Sequence, residues 1–329
     1  MSTERIPLGF ADLVVPAGSH LAYPYQSETA RQDCLLGFVT AGLSSNEKCV
    51  AAVTEYGAGW WRDALHARGM DIHSLREGQF EILSAESLSP WRSADSPRGA
   101  QQVISGLVEA SVKEGWGATR MCASFPHILQ EPEAVPYFLK TEASMDEFLA
   151  SQPVTVLCTF AAARLHRSLL DACLQCHQLV TDGASLAPND DYLDTARLSA
   201  RLPEILRELE VAGALTAPFA SMHFSGDVAA IRTGDEVDVY TAPRVEELAD
   251  WMISVGHRHL IVDLSRTTFM DAASISALVR IALALEQNGG RLAIYDPLDP
   301  PRKIFQLIKL HERIPIRRSL DEAVQSARP

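Results

Sequence analysis

The sequence predicts a two-domain α/β protein built on parallel sheets. Three observations carry that prediction. The chain has 329 residues, which suggests two domains as a starting estimate. From His20 to Gly183, short apolar runs alternate with amphipathic stretches of helical length. Further on, His259–Asp296 reads as strand, helix, strand, the βαβ unit. Strands alternating with helices predict a parallel sheet with helices on both faces.

The N-terminal region is read in order. Met1–Gly18 is expected to hold at most one strand or turn. His20–Glu28 reads as the loop before the first helix, which Ser27 or Thr29 opens and Gly42 ends. Lys48–Thr54 is a buried strand, Trp60–Arg68 a helix, Phe80–Leu83 a strand. Ser87–Gly99, rich in Ser and Pro, reads as a surface loop. Ala100–Glu114 is a helix, Ala118–Ser124 a strand and Val135–Ala150 a helix. Val154–Phe160 is a strongly apolar strand, and Leu165–Val180 a helix ended near Gly183.

Ala184–Pro218 joins the two regions. It holds a break at Pro188 and a helix, Leu198–Val211, that either packs on one domain or acts as a spacer. In the second region a strand (Val228–Arg232) and a helix (Thr241–Val255) precede the βαβ unit. In that unit, His259–Leu264 is a buried strand. Asp271 is suited to accept from free N–H groups at a helix start. Ile275, Leu278, Val279, Ala282 and Leu285 form one apolar face. Asn288-Gly289-Gly290 ends the helix, and Arg291–Tyr295 is a strand stopped by Asp296-Pro297. Helices near Pro301–Leu310 and from Ser319 complete the chain.

Composition narrows the function classes. The formal net charge of −13 argues against a nucleic-acid binder, because the phosphate backbone would be repelled. No window reaches the roughly 18 uninterrupted apolar residues of a membrane span. The N-terminus has no basic stretch followed by a long apolar one, so a cytoplasmic protein with its six cysteines reduced is expected.

Several motifs of the C-terminal third occur together. They are Asp235-Glu236-Val237-Asp238 with Thr241-Ala242, then Asp263-Leu264, Phe269-Met270-Asp271 and Gly289-Gly290. In this order they resemble the STAS domain of anti-sigma factor antagonists, over roughly Phe224–Ala327. The resemblance implies an anti-sigma factor as partner. It places Asp238, Asp271, Ala272, Ala273 and Ser274 in the partner-binding surface. The family's regulatory serine is the second residue after the Asp, where this chain has Ala273. Ala272 fills the other serine position, and Ser274 stands where the family has Gly. Ser274 is then a substitute phosphorylation site or a small first-turn residue satisfying a backbone group. Lys309 replaces a further family glycine.

The N-terminal half resembles the MEDS sensory domain, a relative of RecA-type ATPases with a degenerate nucleotide loop. The matching residues are His20 and Tyr25, Phe38 with Gly42-Leu43, Cys158 and His177. The resemblance implies ligand or signal sensing. Neither G-x-x-x-x-G-K-[ST] nor G-x-G-x-x-G occurs, so ATP hydrolysis is not expected. In such sheets ligands sit at the carboxyl ends of strands. His20, Cys158 and His177 could converge at one end to hold a small ligand or metal, with Tyr23, Tyr25, Trp60 and Trp61 lining it. As purely structural groups they would be a cap, a core thiol and a half-buried ring.

Cys173-Leu-Gln-Cys176-His177 matches the haem-attachment string C-x-x-C-H. It lies on a good amphipathic helix, where free core cysteines also fall. A metal or redox site from Cys173, Cys176 and His177 is the alternative, though no second Cys/His pair follows at zinc-finger spacing. Asp190-Asp191 reads as a solvated turn, and no catalytic constellation is evident.

The combined reading is a non-enzymatic signalling protein. Residues 1–183 are a sensory domain, 184–222 a linker with a helix, and 223–329 a STAS domain. Control passes to the sensory domain because alanines occupy the phosphorylation positions. No cofactor is assigned, an unknown small-molecule ligand is allowed for, and a homodimer is left open. The alternatives are a RecA-like nucleotide binder and a haem or metal sensor.

Overall fold

The computed structural model describes residues 5–53, 55–72, 75–84, 86–92, 96–215, 220–225, 228–295 and 298–328. The stop at Asp296-Pro297 and the end of the joining segment near Pro218 lie outside them. The chain divides into two units, 1–54 with 62–216 and 217–329 with 55–61.

The first unit is a seven-stranded sheet with helices on both faces. Ahead of it, β1 (Arg5–Pro7) and β2 (Val14–Pro16) pair antiparallel, so the leader holds two strands where one was expected. The sheet strands are β3 (His20–Tyr25), β4 (Lys48–Val53), β5 (Phe80–Ile82), β6 (Thr119–Ser124), β7 (Val154–Ala161), β8 (Leu179–Thr181) and β9 (Leu186–Pro188). Their spatial order is β5-β4-β6-β7-β3-β8-β9, parallel except for β9. The helices are α1 (Glu28–Ser44), α2 (Ala58–Ala67, of which residues 62–67 fall in this unit), α3 (Arg98–Lys113), α4 (Pro126–Leu129), α5 (Val135–Leu149), α6 (Arg167–Leu174) and α7 (Thr195–Val211).

Strand alternation sorts the two faces. Ala22, Val50, Ala52, Met121, Ala123, Val156 and Cys158 point into one core with α3, α5, α6 and α7. Arg120 and Cys49 point the other way, to the backbone of α1 at Phe38 and Val39. Helix α7 contributes Leu198, Leu202, Ile205 and Leu209 to the first core, so it packs on this unit rather than spacing.

Four expectations are corrected here. His20–Tyr25 is not a loop but a central strand between β7 and β8. Pro24 is tolerated because its β8-facing side is already unpaired, β8 matching only Leu21 and Ala22. Gly42 does not end α1, since Ser45 N–H still bonds to Ala41 and Gly42 carbonyls. Gly42 instead admits close packing: a Cβ there would stand 2.6 Å from both Arg120 Cδ and Cys49 Sγ. The stretch from 86 to 92 is a 3-10 helix that buries Leu88 and Trp91, two large apolar groups outweighing the Ser/Pro composition. Finally, the helix expected at Leu165–Val180 stops at Leu174. Val180 belongs to β8, its pairing with Ala22 and Ala187 overriding helical periodicity.

The second unit holds a five-stranded sheet in the order β10-β11-β13-β15-β16. These are β10 (Ala220–Ser225), β11 (Val228–Thr233), β13 (His259–Asp263), β15 (Arg291–Tyr295) and β16 (Ile316–Arg317), parallel except for β10. Strand β10 was not expected. A small parallel pair, β12 (Glu236–Val237) with β14 (Phe269–Met270), stands apart. Helices are α8 (Ala242–Ser254), α9 (Ala272–Gln287), α10 (Asp299–Leu307) and α11 (Leu320–Ala327). Val228, Ile261 and Ala293 pack on Ala323 and Ala327 of α11, while α8 and α9 pack side by side. Lys309, where a glycine was expected, has φ of 58°, the left-handed region a glycine adopts freely.

Candidate functional site

In the first unit, His20, Glu142, Cys158 and His177 are all buried, and one ligand atom from each lies within 4.8 Å of the others. His20 is the first residue of β3, Cys158 lies within β7, and His177 follows α6. Glu142 comes from α5. The site therefore sits at the amino end of β3, not at the carboxyl ends of the strands. His20 Nε2 is 3.3 Å from Cys158 Sγ and 3.5 Å from Glu142 Oε2. His177 Nε2 is 3.5 Å from the same Oε2, as is Cys158 Sγ. The two imidazoles lie with centroids 4.1 Å apart.

Outer groups fix these side chains. His177 Nδ1 stands 2.9 Å from the Cys173 carbonyl, which can only accept, so the proton is on Nδ1. His20 Nδ1 faces Asp146 Oδ1 at 3.3 Å. Trp91 Nε1 donates to Glu142 Oε1 at 3.1 Å. Burial penalises the Glu142 carboxylate, but the two histidines outweigh it and hold its pKa at about 2. Burial likewise opposes charge on His20, yet Cys158, Asp146 and Glu142 raise it well above 6.5. His177 is pushed down by burial and by His20. The Cys158 thiol is pushed up to about 12, first by burial and then by Glu142.

Tyr23 and Tyr25 are not part of this cluster. Side-chain alternation along β3 sends them to the face opposite His20, where Arg31 lies over the Tyr25 ring. Cys173 and Cys176 also stay outside it. Cys176 Sγ donates to the Leu139 and Ala172 carbonyls, and all six cysteines are buried free thiols. The β3–α1 turn is only Gln26-Ser27, and Ser27 Oγ already accepts from Ala30 N. Glu142 and Asp146 were missed by sequence reasoning. The signal was present: they share a helical stripe with Val135, Leu139 and Leu149, and carboxylates on an apolar stripe need partners.

In the second unit, Asp271 caps α9. Its Oδ1 accepts from Ser274 N at 2.9 Å and its Oδ2 from Val239 N at 3.0 Å, tying the β12–α8 loop to the helix start. Asp238 Oδ1 accepts from Tyr240 N, Thr241 N and Thr241 Oγ1. Ala272 is exposed and Ala273 half-buried, whereas Ser274 is fully buried and donates its hydroxyl to the Asp271 carbonyl at 2.6 Å. Val239, Tyr240 and Phe269 surround this turn and are 56%, 87% and 50% exposed. Val239 and Tyr240 were not singled out from the sequence, and Phe269 entered only as part of the Phe269-Met270-Asp271 motif. Asp235 and Glu236 hold the turn through the Asp235 carbonyl and the β12–β14 pair. Asp190 and Asp191 are exposed, and neither joins the buried cluster.

Comparison with known proteins places these features. Residues 19–178 match the family described as "MEthanogen/methylotroph, DcmR Sensory domain", and residues 220–323 match the STAS domain. The chain is 32% identical to an anti-sigma-B factor antagonist of Staphylococcus aureus, over 25% of this chain and 76% of the relative. It is 29% identical over the same shares to one from Staphylococcus epidermidis. An anti-sigma factor antagonist from Mycobacterium paratuberculosis aligns in structure with a TM-score of 0.31. That alignment has 20% identity and covers 33% of this chain and 93% of the other. A KaiC-like protein from Pyrococcus horikoshii aligns with a TM-score of 0.41 at 18% identity, covering 54% and 80%.

Fold and matches together define a regulatory protein in which a MEDS domain precedes a STAS domain. Through its STAS domain the chain belongs to the anti-sigma factor antagonist family. Among the described residues no helix is long and apolar enough to cross a membrane.

Proposed function

We propose that the STAS domain binds an anti-sigma factor through the α9 start, and that the MEDS domain senses a ligand that sets this binding. The observation that carries the reading is the Asp271 turn. Its cap is formed, Ala272 is exposed, and Val239, Tyr240 and Phe269 present apolar surface around it. A rigid turn ringed by exposed apolar groups suits a protein partner. Control by phosphorylation does not suit this copy. Ala273 has no hydroxyl, and that of Ser274 is buried and engaged.

The test uses the full chain with a kinase-type anti-sigma factor and radiolabelled ATP. The wild type is expected to bind and to take up no phosphate in the 271–274 turn, while Ala273→Ser is expected to be labelled. Tyr240→Ala and Phe269→Ala are expected to weaken binding. Failure of the wild type to bind any such partner overturns the reading. Stoichiometric labelling of Ser274 overturns its unphosphorylated mode.

A further inference from the structure

We propose that His20, Glu142, Cys158 and His177 form a closed, tetrahedral site for a divalent transition-metal ion of the zinc type. The proposal deepens the sensory reading and rests on it only for the consequence that the ion controls partner binding.

The spacing comes first. Bonds of about 2.0–2.3 Å from zinc to N, O and S give a tetrahedron with edges of roughly 3.3–3.8 Å. Four edges are fixed here: 3.3 Å for His20 Nε2 to Cys158 Sγ, and 3.5 Å from Glu142 Oε2 to each of His20 Nε2, Cys158 Sγ and His177 Nε2. All lie in that range. Glu142 Oε2 is common to three of them, and the two remaining edges, from His177 Nε2 to His20 and to Cys158, lie within 4.8 Å.

The second observation is an unsatisfied group. His177 is fully buried and its Nε2 has no hydrogen-bond partner. Because Nδ1 carries the proton to the Cys173 carbonyl, the neutral ring presents an Nε2 lone pair to Glu142 Oε2. Two acceptors facing each other out of water need a proton or a metal cation between them, and burial opposes the protonated ring.

The third is the outer shell. Metal-binding histidines usually give their other nitrogen to a carbonyl or carboxylate. His177 does so to Cys173 O and His20 faces Asp146, while Glu142's remaining oxygen takes the Trp91 N–H. Two imidazoles, a thiolate and a carboxylate suit a borderline ion better than calcium or magnesium, which take oxygen ligands. Binding releases two protons to solvent, one from the Cys158 thiol and one from the charged His20 ring, and leaves the ion–ligand set neutral, with charge +2 balanced by one thiolate and one carboxylate. A cleft of about 1210 Å³, lined by His20, Asp146, Gln178 and Tyr192, lies beside the cluster.

The test is metal analysis of the purified full chain, then cobalt(II) titration of chelator-treated protein. About one equivalent of zinc per chain is expected. Cobalt should give the absorption of tetrahedral coordination with a thiolate charge-transfer band. Cys158→Ser should lose that band and His177→Ala should bind more weakly, while Cys176→Ser keeps both, with folding of each checked by circular dichroism. A folded wild type that binds neither ion overturns the proposal, whatever the variants do. So does a thiolate band that survives Cys158→Ser. Partner binding that persists in a chain unable to take metal overturns control of that binding by the ion and leaves the STAS reading standing. Metal uptake with no partner binding does the reverse.

Discussion

The indole N–H of Trp91 meets Oε1 of Glu142 at 3.1 Å, and both side chains are buried. The donor comes from a 3-10 segment and the acceptor from α5, 51 positions apart. Trp91→Phe keeps an aromatic ring of smaller size but removes the donor, leaving a buried carboxylate oxygen unpaired. In chelator-treated protein the variant is expected to lose about 1–3 kcal/mol in urea unfolding.

Glu47 and Arg120 are the second buried pair. Arg120 Nη2 donates to Glu47 Oε1 at 3.1 Å, and its Nε donates to Oε2. Glu47→Ala leaves the guanidinium without its carboxylate, although the Phe38 carbonyl remains. A loss of about 3–5 kcal/mol is expected by denaturant titration. A loss below about 1 kcal/mol would show that water reaches the site.

At the α9 start, Asp271→Ala removes the acceptor for Ser274 N and the link to Val239 N. Loss of the cap is expected to cost about 0.5–2 kcal/mol in thermal unfolding. Asp271→Asn, which keeps one accepting oxygen, should recover part of it.

Asp238 gives a pH dependence. Thr241's hydroxyl and nearby N–H groups hold its carboxyl below the ordinary 3.8. A depressed carboxyl contributes stability that is present above its unfolded value and lost as pH falls through the folded one. Acid unfolding followed by tryptophan fluorescence should therefore begin at a higher pH in Thr241→Val. An unchanged acid limb would mean that the backbone N–H groups alone hold the carboxylate.

Lys309 is the fifth case. Its φ of 58° strains a side chain that a glycine would not carry. Lys309→Gly is expected to stabilise the chain by about 1 kcal/mol, read as a higher unfolding midpoint.

The sequence made some of this legible and hid the rest for physical reasons. Asp271 as cap, the apolar face of α9 and the glycine terminator are local patterns, set by neighbours within a few residues. The alternation of strands and helices likewise announced parallel sheets. His20, Cys158 and His177 were visible as residue types, but their meeting depends on sheet order, which no local pattern encodes. Strand β3 was hidden because Pro24 reads as a loop residue, and its tolerance depends on where β8 ends. Trp91 lay in a stretch whose serines and prolines outvoted its ring. Glu142 and Asp146 looked like ordinary helix acids until their place on an apolar stripe was counted.

Gly42 lets Arg120 and Cys49 lie against α1, with room for no further carbon. A methyl at 42 would displace the very guanidinium that neutralises Glu47. Position 42 is thus coupled sterically to Arg120 and Cys49 and, through Arg120, electrostatically to Glu47: a side chain at 42 would disturb a buried ion pair that it does not itself touch.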